Sequence, residues 1–297
     1  MYSRTWSLLA QIFPKIDWDR RLQLLAVVHF LFLWIMLPIL SVWIPFYLLF
    51  TRYWPLVPLY GVWTFYNWRA PREGSFGGWK WYKNHSLWRY FANYFPIKLV
   101  KTADLPPDRN YIIGSHPHGV LSIGAFTHMV TNGTGFRELF PGLETTILTL
   151  NGQFYFPFRR DVGLALGGVE SSKESLTHLL ENPGRAIGIV IGGVTEMLDS
   201  RTGCHSAKIL NRRGFCRYAI IYGADLVPMY NFGENDVYEQ VPNPHGSALR
   251  AIQSRVKHAV GFCPPLFHGS GLVNRMRGLL PFRKPITSVM GKPIRVR

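Results

Sequence analysis

The chain has 297 residues, 47% of them hydrophobic, with 33 Lys and Arg against 17 Asp and Glu and a formal net charge of +16. The hydrophobic content excludes a disordered chain, and a mean hydropathy of +0.04 is unlike the polar make-up usual for basic nucleic-acid-binding proteins. A greasy, aromatic and basic composition points instead to an anionic membrane surface or an anionic substrate.

Leu22 to Thr51 contains no charged residue, and after Arg52 the run Tyr53 to Trp68 is again uncharged. The first stretch exceeds the ~20 apolar residues of a membrane span. It lacks the short apolar core and small-residue cleavage site of a signal peptide. Arg4, Lys15, Arg20 and Arg21 precede the pair, and Arg69 and Arg72 follow it. Positive flanks stay on the cytosolic side, so a hairpin with its tip near Arg52 to Pro55 is expected. Pro38 and Pro45 remove helical hydrogen bonds, so the first arm is expected to be kinked or re-entrant. The competing reading is a buried helix pair in a soluble protein.

Gly74, Gly77 and Gly78 mark a linker. Trp79 to Phe95, aromatic and basic, reads as a helix lying along the membrane surface. Pro106-Pro107 is a break. Thereafter strand-like and helix-like signals alternate. Strands are expected at Tyr111–Ser115, Thr146–Leu150, Ala186–Ile191 and Leu226–Tyr230, and helices at Val120–Met129, from Ser171-Ser172-Lys173-Glu174 to Gly184, and at Phe215–Tyr222 before Gly223. Ser171 to Glu174 has the spacing of a capping box. Alternation of this kind predicts an α/β sheet with parallel pairs. Three widely spaced cysteines, Cys204, Cys216 and Cys263, form neither a disulfide framework nor a zinc set, which suits a reducing, cytosol-facing environment.

Two motifs fall just after strands, where α/β sheets gather their functional groups. His116-Pro117-His118-Gly119 offers two imidazoles, whose reference pKa near 6.5 suits proton transfer at neutral pH. A helix starting at Gly119–Val120 would present free amides to an oxyanion. Gly192-Gly193-Val194-Thr195-Glu196 places a carboxylate where it could orient an imidazole. The plainer alternatives are two histidines in a structural turn and a glutamate on the surface. Basic pairs, Arg159-Arg160 and Arg212-Arg213, read either as solvated faces or as a phosphate site. No nucleophile elbow, Walker loop or dinucleotide fingerprint is present. A metal-dependent hydrolase using His116 and His118 would need a third ligand, and His85, His128 and His205 offer none at a sensible position. A membrane or lipid-droplet scaffold is the non-enzymatic alternative.

In chain order, the hairpin, Tyr94-Phe95-Pro96, His116-Pro117-His118-Gly119, Gly192-Gly193-Val194-Thr195-Glu196, Arg213-Gly214-Phe215, and Gly223-Ala224-Asp225-Leu226-Val227-Pro228 running into Phe232 to Tyr238 resemble the diacylglycerol acyltransferases of the second type with their monoacylglycerol and wax-ester relatives. The resemblance covers nearly the whole chain. It implies a glycerolipid-acyltransferase-like α/β fold, a mixed or parallel sheet with flanking helices. The expected layout is a cytosolic segment 1–21, a membrane hairpin 22–69 and a cytosol-facing acyltransferase domain 70–297. The implied reaction is acyl transfer from acyl-CoA, a co-substrate with no further cofactor or metal, to a glycerolipid hydroxyl. Diacylglycerol is the leading acceptor, with monoacylglycerol or a fatty alcohol as alternative.

The implied setting is the endoplasmic reticulum membrane and lipid droplets, with both termini cytosolic. Partners are membrane lipids and no nucleic acid, with a homo-oligomer left open. His118 is expected as the base, with His116 as support or in exchanged roles, Glu196 as the orienting carboxylate and Gly119 at the oxyanion. Arg159, Arg160 and Arg213 are expected on coenzyme A phosphates. Phe30, Leu31 and Leu33, within Phe30-Leu31-Phe32-Leu33, look like the family's neutral-lipid-binding segment. The wider glycerolipid acyltransferases pair a histidine with an Asp five positions on; here Leu121 and Ile123 stand at those positions. Only three residues follow Gly291-Lys292-Pro293-Ile294, where family members continue into a helical tail, so a shortened form is expected.

Overall fold

The computed structural model describes residues 17–74, 78–271 and 277–296. Arg4 and Lys15 of the expected basic flank, and Gly77 of the expected linker, lie outside them. Helix α1, Trp18–Leu49, has 32 residues, or ~48 Å at ~1.5 Å per residue. It continues through both prolines, and the turn ahead of Pro38, Phe32–Met36, is π-helical. Proline lacks an amide hydrogen, and its ring crowds the carbonyl four residues back. A widened turn accommodates both. A turn at 50–55 leads to α2, Leu56–Tyr66.

The two halves of α1 meet different surroundings. Gln23, Ala26, Val27, Phe30 and Leu31 are buried against the protein. Beyond Pro38, the side chains of Ile39, Val42, Trp43, Phe46, Tyr47 and Leu49 are exposed, and α2 buries none of its residues.

The expected surface helix over Trp79–Phe95 is not one. Lys80–Lys83 forms a single turn, and a separate helix, α3, spans Leu87–Tyr94. Trp79 and Trp81 are exposed, but Trp88, Phe91 and Phe95 are fully buried. The reason is an aromatic cluster: Phe30 of α1 stands 4.7 Å from Phe91 and 5.0 Å from Phe126, ring centre to ring centre. Burying such a ring is worth about 1.5–3 kcal/mol, so α3 packs inward.

The remaining chain forms a seven-stranded mixed sheet among the described residues, in the order β1-β10-β6-β2-β5-β3-β4. Its strands are β1 Lys98–Lys101, β2 Tyr111–His116, β3 Glu144–Thr149, β4 Gly168–Glu170, β5 Arg185–Val190, β6 Asp225–Phe232 and β10 Thr287–Met290. All neighbours are parallel except β10 and β6. A small antiparallel set, β7 Glu239–Gln240, β8 Phe267–Ser270 and β9 Arg277–Gly278, lies apart. Every residue of central β2 is buried, as a strand covered on both faces requires.

Helices α4 Ile123–Met129, α5 Arg159–Ala165, α6 Lys173–Leu180, α7 Gly193–Asp199, α8 Gly214–Tyr222 and α9 Ala248–Val260 flank the sheet. Ser172 caps α6, its hydroxyl accepting from the Ser175 amide at 3.1 Å. Gly223 ends α8 with a φ of +61°. The expected helix at Val120–Met129 starts three residues late, because Gly119 and Ser122 have φ of +62° and +52°, which a right-handed helix excludes.

Candidate active site

Strand β2 ends at His116, beside the end of β5, and only two residues separate β5 from α7. This arrangement brings the two strand-end motifs together. Glu196 is buried, and its carboxylate bridges three groups. It accepts from the His118 amide at 2.5 Å and from the Lys208 amide at 2.8 Å, and it lies 3.4 Å from His116 Nδ1. Burial alone would raise its pKa; the His116 contact and the Lys208 and His118 amides outweigh it and hold the carboxyl below its ordinary range. Gly192 is needed here because a side chain at that position would collide with the Glu196 carboxylate.

Glu196 therefore touches the ring of His116 and the backbone of His118, not the His118 ring. The His118 ring is oriented from its other side. Its Nδ1 lies 3.1 Å from the Gly119 carbonyl and 3.2 Å from Ser122 Oγ, while the Ser122 hydroxyl donates to the His118 carbonyl. A carbonyl only accepts, so Nδ1 carries the hydrogen and Nε2 the lone pair. Burial lowers the His118 pKa, with the Gly119 carbonyl and Glu196 pulling the other way, so the ring is neutral at pH 7.

A cavity of about 860 Å³ opens beside His118. Its wall is largely apolar, with Val120, Phe126, Ile147, Phe154 and Leu166. Five cations also line it: exposed Lys173, Arg212 and Arg213, partly exposed Lys257, and buried Arg159. His118 lines this cavity and His116 does not.

The expected oxyanion corner is rearranged. The first amides of α4, those of Ile123 and Gly124, donate to the Glu234 carboxylate at 2.7 and 2.8 Å. Burial pushes the Glu234 pKa up to about 7, against the pull of those amides. No hydrogen bond among the described residues uses the amides of Gly119, Val120 or Leu121. A second buried network lies behind β2. Asn231 donates to Ser115 Oγ and the His116 carbonyl, Ser288 donates to Asn231 at 2.6 Å, and His128 Nε2 meets Ser288 Oγ at 2.6 Å.

Of Arg159, Arg160 and Arg213, only Arg213 is an exposed residue of the cavity wall. Arg160 is buried, donates to the Asn67 carbonyl and lies 3.7 Å from Asp161, away from the cavity wall. Arg159 is buried inside the cavity, its guanidinium 4.2 Å from the centre of the Trp34 ring. Phe30, Leu31 and Leu33 belong to the aromatic core, and none lines the cavity. Among the described residues, no three His, Cys, Asp or Glu side chains converge as a metal set.

Glu234, Ser122, Lys257 and Trp34 were missed in the sequence. Glu234 sat inside a recognised motif, but nothing local shows that it returns to α4 across the fold.

Residues 46–297 match the family model for diacylglycerol acyltransferase. A 2-acylglycerol O-acyltransferase 1 from Bos taurus is 42% identical over 94% of this chain and 83% of its own length. A diacylglycerol O-acyltransferase 2 from Danio rerio is 40% identical over 95% of this chain and 81% of its own, and the Homo sapiens protein of that name is 38% identical over 100% and 75%. A solved structure, the 1-acyl-sn-glycerophosphate acyltransferase PlsC from Thermotoga maritima, aligns over 93% of this chain and 87% of its own at 12% identity, with a TM-score of only 0.35.

Proposed function

The chain belongs to the diacylglycerol acyltransferase family and is an O-acyltransferase of glycerolipids, and on that premise we propose how its cavity carries out the transfer. The acceptor is diacylglycerol, esterified to triacylglycerol, and the donor is acyl-CoA. His118 Nε2 takes the hydroxyl proton as the oxygen attacks the thioester carbonyl. Amides of the Gly119 turn steady the tetrahedral oxyanion. The C–S bond then breaks, and the imidazolium returns the proton to the coenzyme A thiolate. No acyl-enzyme and no metal takes part. The observation that carries this assignment is that His118, neutral and with Nδ1 already engaged, is the histidine on the cavity wall.

His116 and Glu196 are positioning residues. Glu196 holds the His118 backbone and the His116 ring on one carboxylate. Lys173, Arg212, Arg213 and Lys257 at the exposed end receive the coenzyme A phosphates, where solvent and cations offset a polyanion.

The exposed part of the hairpin inserts into the endoplasmic reticulum membrane, or a lipid droplet, from the cytosolic side. Leu37–Leu49 has 13 residues and α2 has 11, or ~20 and ~17 Å of helix. A hydrocarbon core of ~30 Å is deeper than either, so the hairpin is re-entrant and both termini are cytosolic. Similarity to a bovine relative named 2-acylglycerol O-acyltransferase 1 keeps monoacylglycerol as a second acceptor. The deciding experiment gives purified protein one acyl-CoA and a panel of diacylglycerol, monoacylglycerol and fatty alcohol. Esterification of diacylglycerol at the highest kcat/KM supports the assignment, and a faster monoacylglycerol or alcohol reaction overturns it.

A further inference from the structure

Arg159 is 3% exposed and lines the largely apolar cavity, unlike the exposed Lys173, Arg212 and Arg213. Its Nε is buried without an acceptor, as is Nε1 of the adjacent Trp34. All 17 Asp and Glu of the chain are among the described residues, and none forms an ion pair with Arg159. The acid two positions on, Asp161, is engaged by Tyr60, Trp63 and Arg160 instead. Burial lowers the guanidinium pKa to about 10, so the group remains cationic at neutral pH.

An unpaired buried charge is costly, and a ligand of opposite charge would relieve that cost. The Trp34 ring face offsets part of that cost. The remaining requirement is an acceptor-only group that carries one negative charge and fits a guanidinium fork. The rest of the ligand is expected to be apolar, because the cavity that Arg159 lines has a largely apolar wall that includes Phe126, Phe154 and Leu166. A neutral ester supplies a carbonyl dipole but no charge. A phosphate monoester or coenzyme A would bring more negative charge than one guanidinium balances, and the exposed cations suit those better.

We propose that Arg159 is the anchor of a binding site for a free long-chain carboxylate, with the fatty-acid anion paired to the guanidinium and its chain lying along the apolar wall. Such a ligand fills space that an acyl chain would use. Competition with acyl-CoA rests on the acyl-transfer reading; the binding itself does not.

The test measures equilibrium binding of radiolabelled oleate and oleyl alcohol to the purified full-length protein in detergent micelles, after subtraction of empty micelles. These ligands have the same chain and differ in the head. Wild-type protein binds oleate at least tenfold more tightly than oleyl alcohol. Arg159→Met lowers oleate affinity at least tenfold and leaves oleyl alcohol within twofold, and Arg159→Lys falls between. Equal affinity of the wild-type protein for the two ligands overturns the proposal, as does unchanged oleate binding by Arg159→Met. Should Arg159→Met not fold, the wild-type comparison decides alone. Because the readout is binding, a protein that binds oleate but transfers no acyl group sinks the reaction and leaves this site standing.

Discussion

The Glu234 carboxylate closes on Gly119 so tightly that a Cβ at position 119 would stand 2.6 Å from Glu234 Cγ. The same carboxylate accepts both leading amides of α4. Glu234 thus joins the turn carrying His118 to the helix behind it. Gly119→Ala meets this contact and a φ of +62° at once. It should lower stability by roughly 1–3 kcal/mol for the strained backbone and abolish transfer. Glu234→Gln turns an NH2 toward one of the two amides and should cost about 1–3 kcal/mol. Thermal unfolding of both variants in detergent checks this; wild-type melting by either would show that the clamp is not structural.

The two histidines should separate kinetically. His118→Ala removes the base and should reduce kcat by about 10²–10⁴-fold while acyl-CoA binding persists. His116→Ala acts through Glu196 and should reduce kcat less. Single-turnover rates with labelled acyl-CoA distinguish them. A larger loss from His116→Ala would exchange the roles.

Acidity should reach the reaction through His118. Only the neutral ring accepts a proton, and burial sets its pKa below 6.5. Transfer should therefore be level through pH 7 and fall only below pH 6.5. Glu234, with its pKa pushed up to about 7, also titrates in this range, so an acid limb of kcat/KM centred above 6.5 that persists in Glu234→Gln would mean that the titrating base lies elsewhere.

His128, fully buried, has its pKa lowered to about 3. A group with a depressed folded pKa and an unfolded value near 6.5 favours unfolding once the unfolded state takes up its proton. Its neutral form is fully compatible with the fold above pH 6.5. Stability should then decline by roughly 1.4 kcal/mol per pH unit on going down from 6.5 toward 3. His128→Gln should flatten that part of the stability profile, measured by chemical denaturation at several pH values.

The hairpin should respond differently at its two levels. Val62 of α2 is 66% exposed, so Val62→Arg should weaken membrane insertion by about 2.5–3.5 kcal/mol at most with little effect on folding. Phe30→Ala removes a core ring and should destabilise the protein by about 3–5 kcal/mol. Vesicle flotation and thermal melting measured on both variants give the comparison. Loss of flotation by Phe30→Ala at an unchanged melting temperature would return Phe30 to the lipid.

The parallel α/β core, the two strand-end motifs and the apolar helix pair joined near Arg52 were legible because each depends on short-range pattern. Uncharged length, strand–helix alternation and a histidine or glutamate just after an apolar run all survive without knowledge of partners. The contacts that assign roles were not legible. Glu196 reaches the His118 amide rather than its ring because β2 and β5 pair in one register. Glu234 caps α4 from more than a hundred residues away. The adjacent arginines 159 and 160 have the same chemistry, yet one side chain enters the cavity and the other binds the Asn67 carbonyl. Phe30, in a string typical of any membrane helix, faces Phe91 and Phe126. Sequence alone determined which groups the protein has and which lie at strand ends. Tertiary structure decided which way each faces, because burial and hydrogen bonding between distant segments set orientation, and orientation separates base, support and anchor.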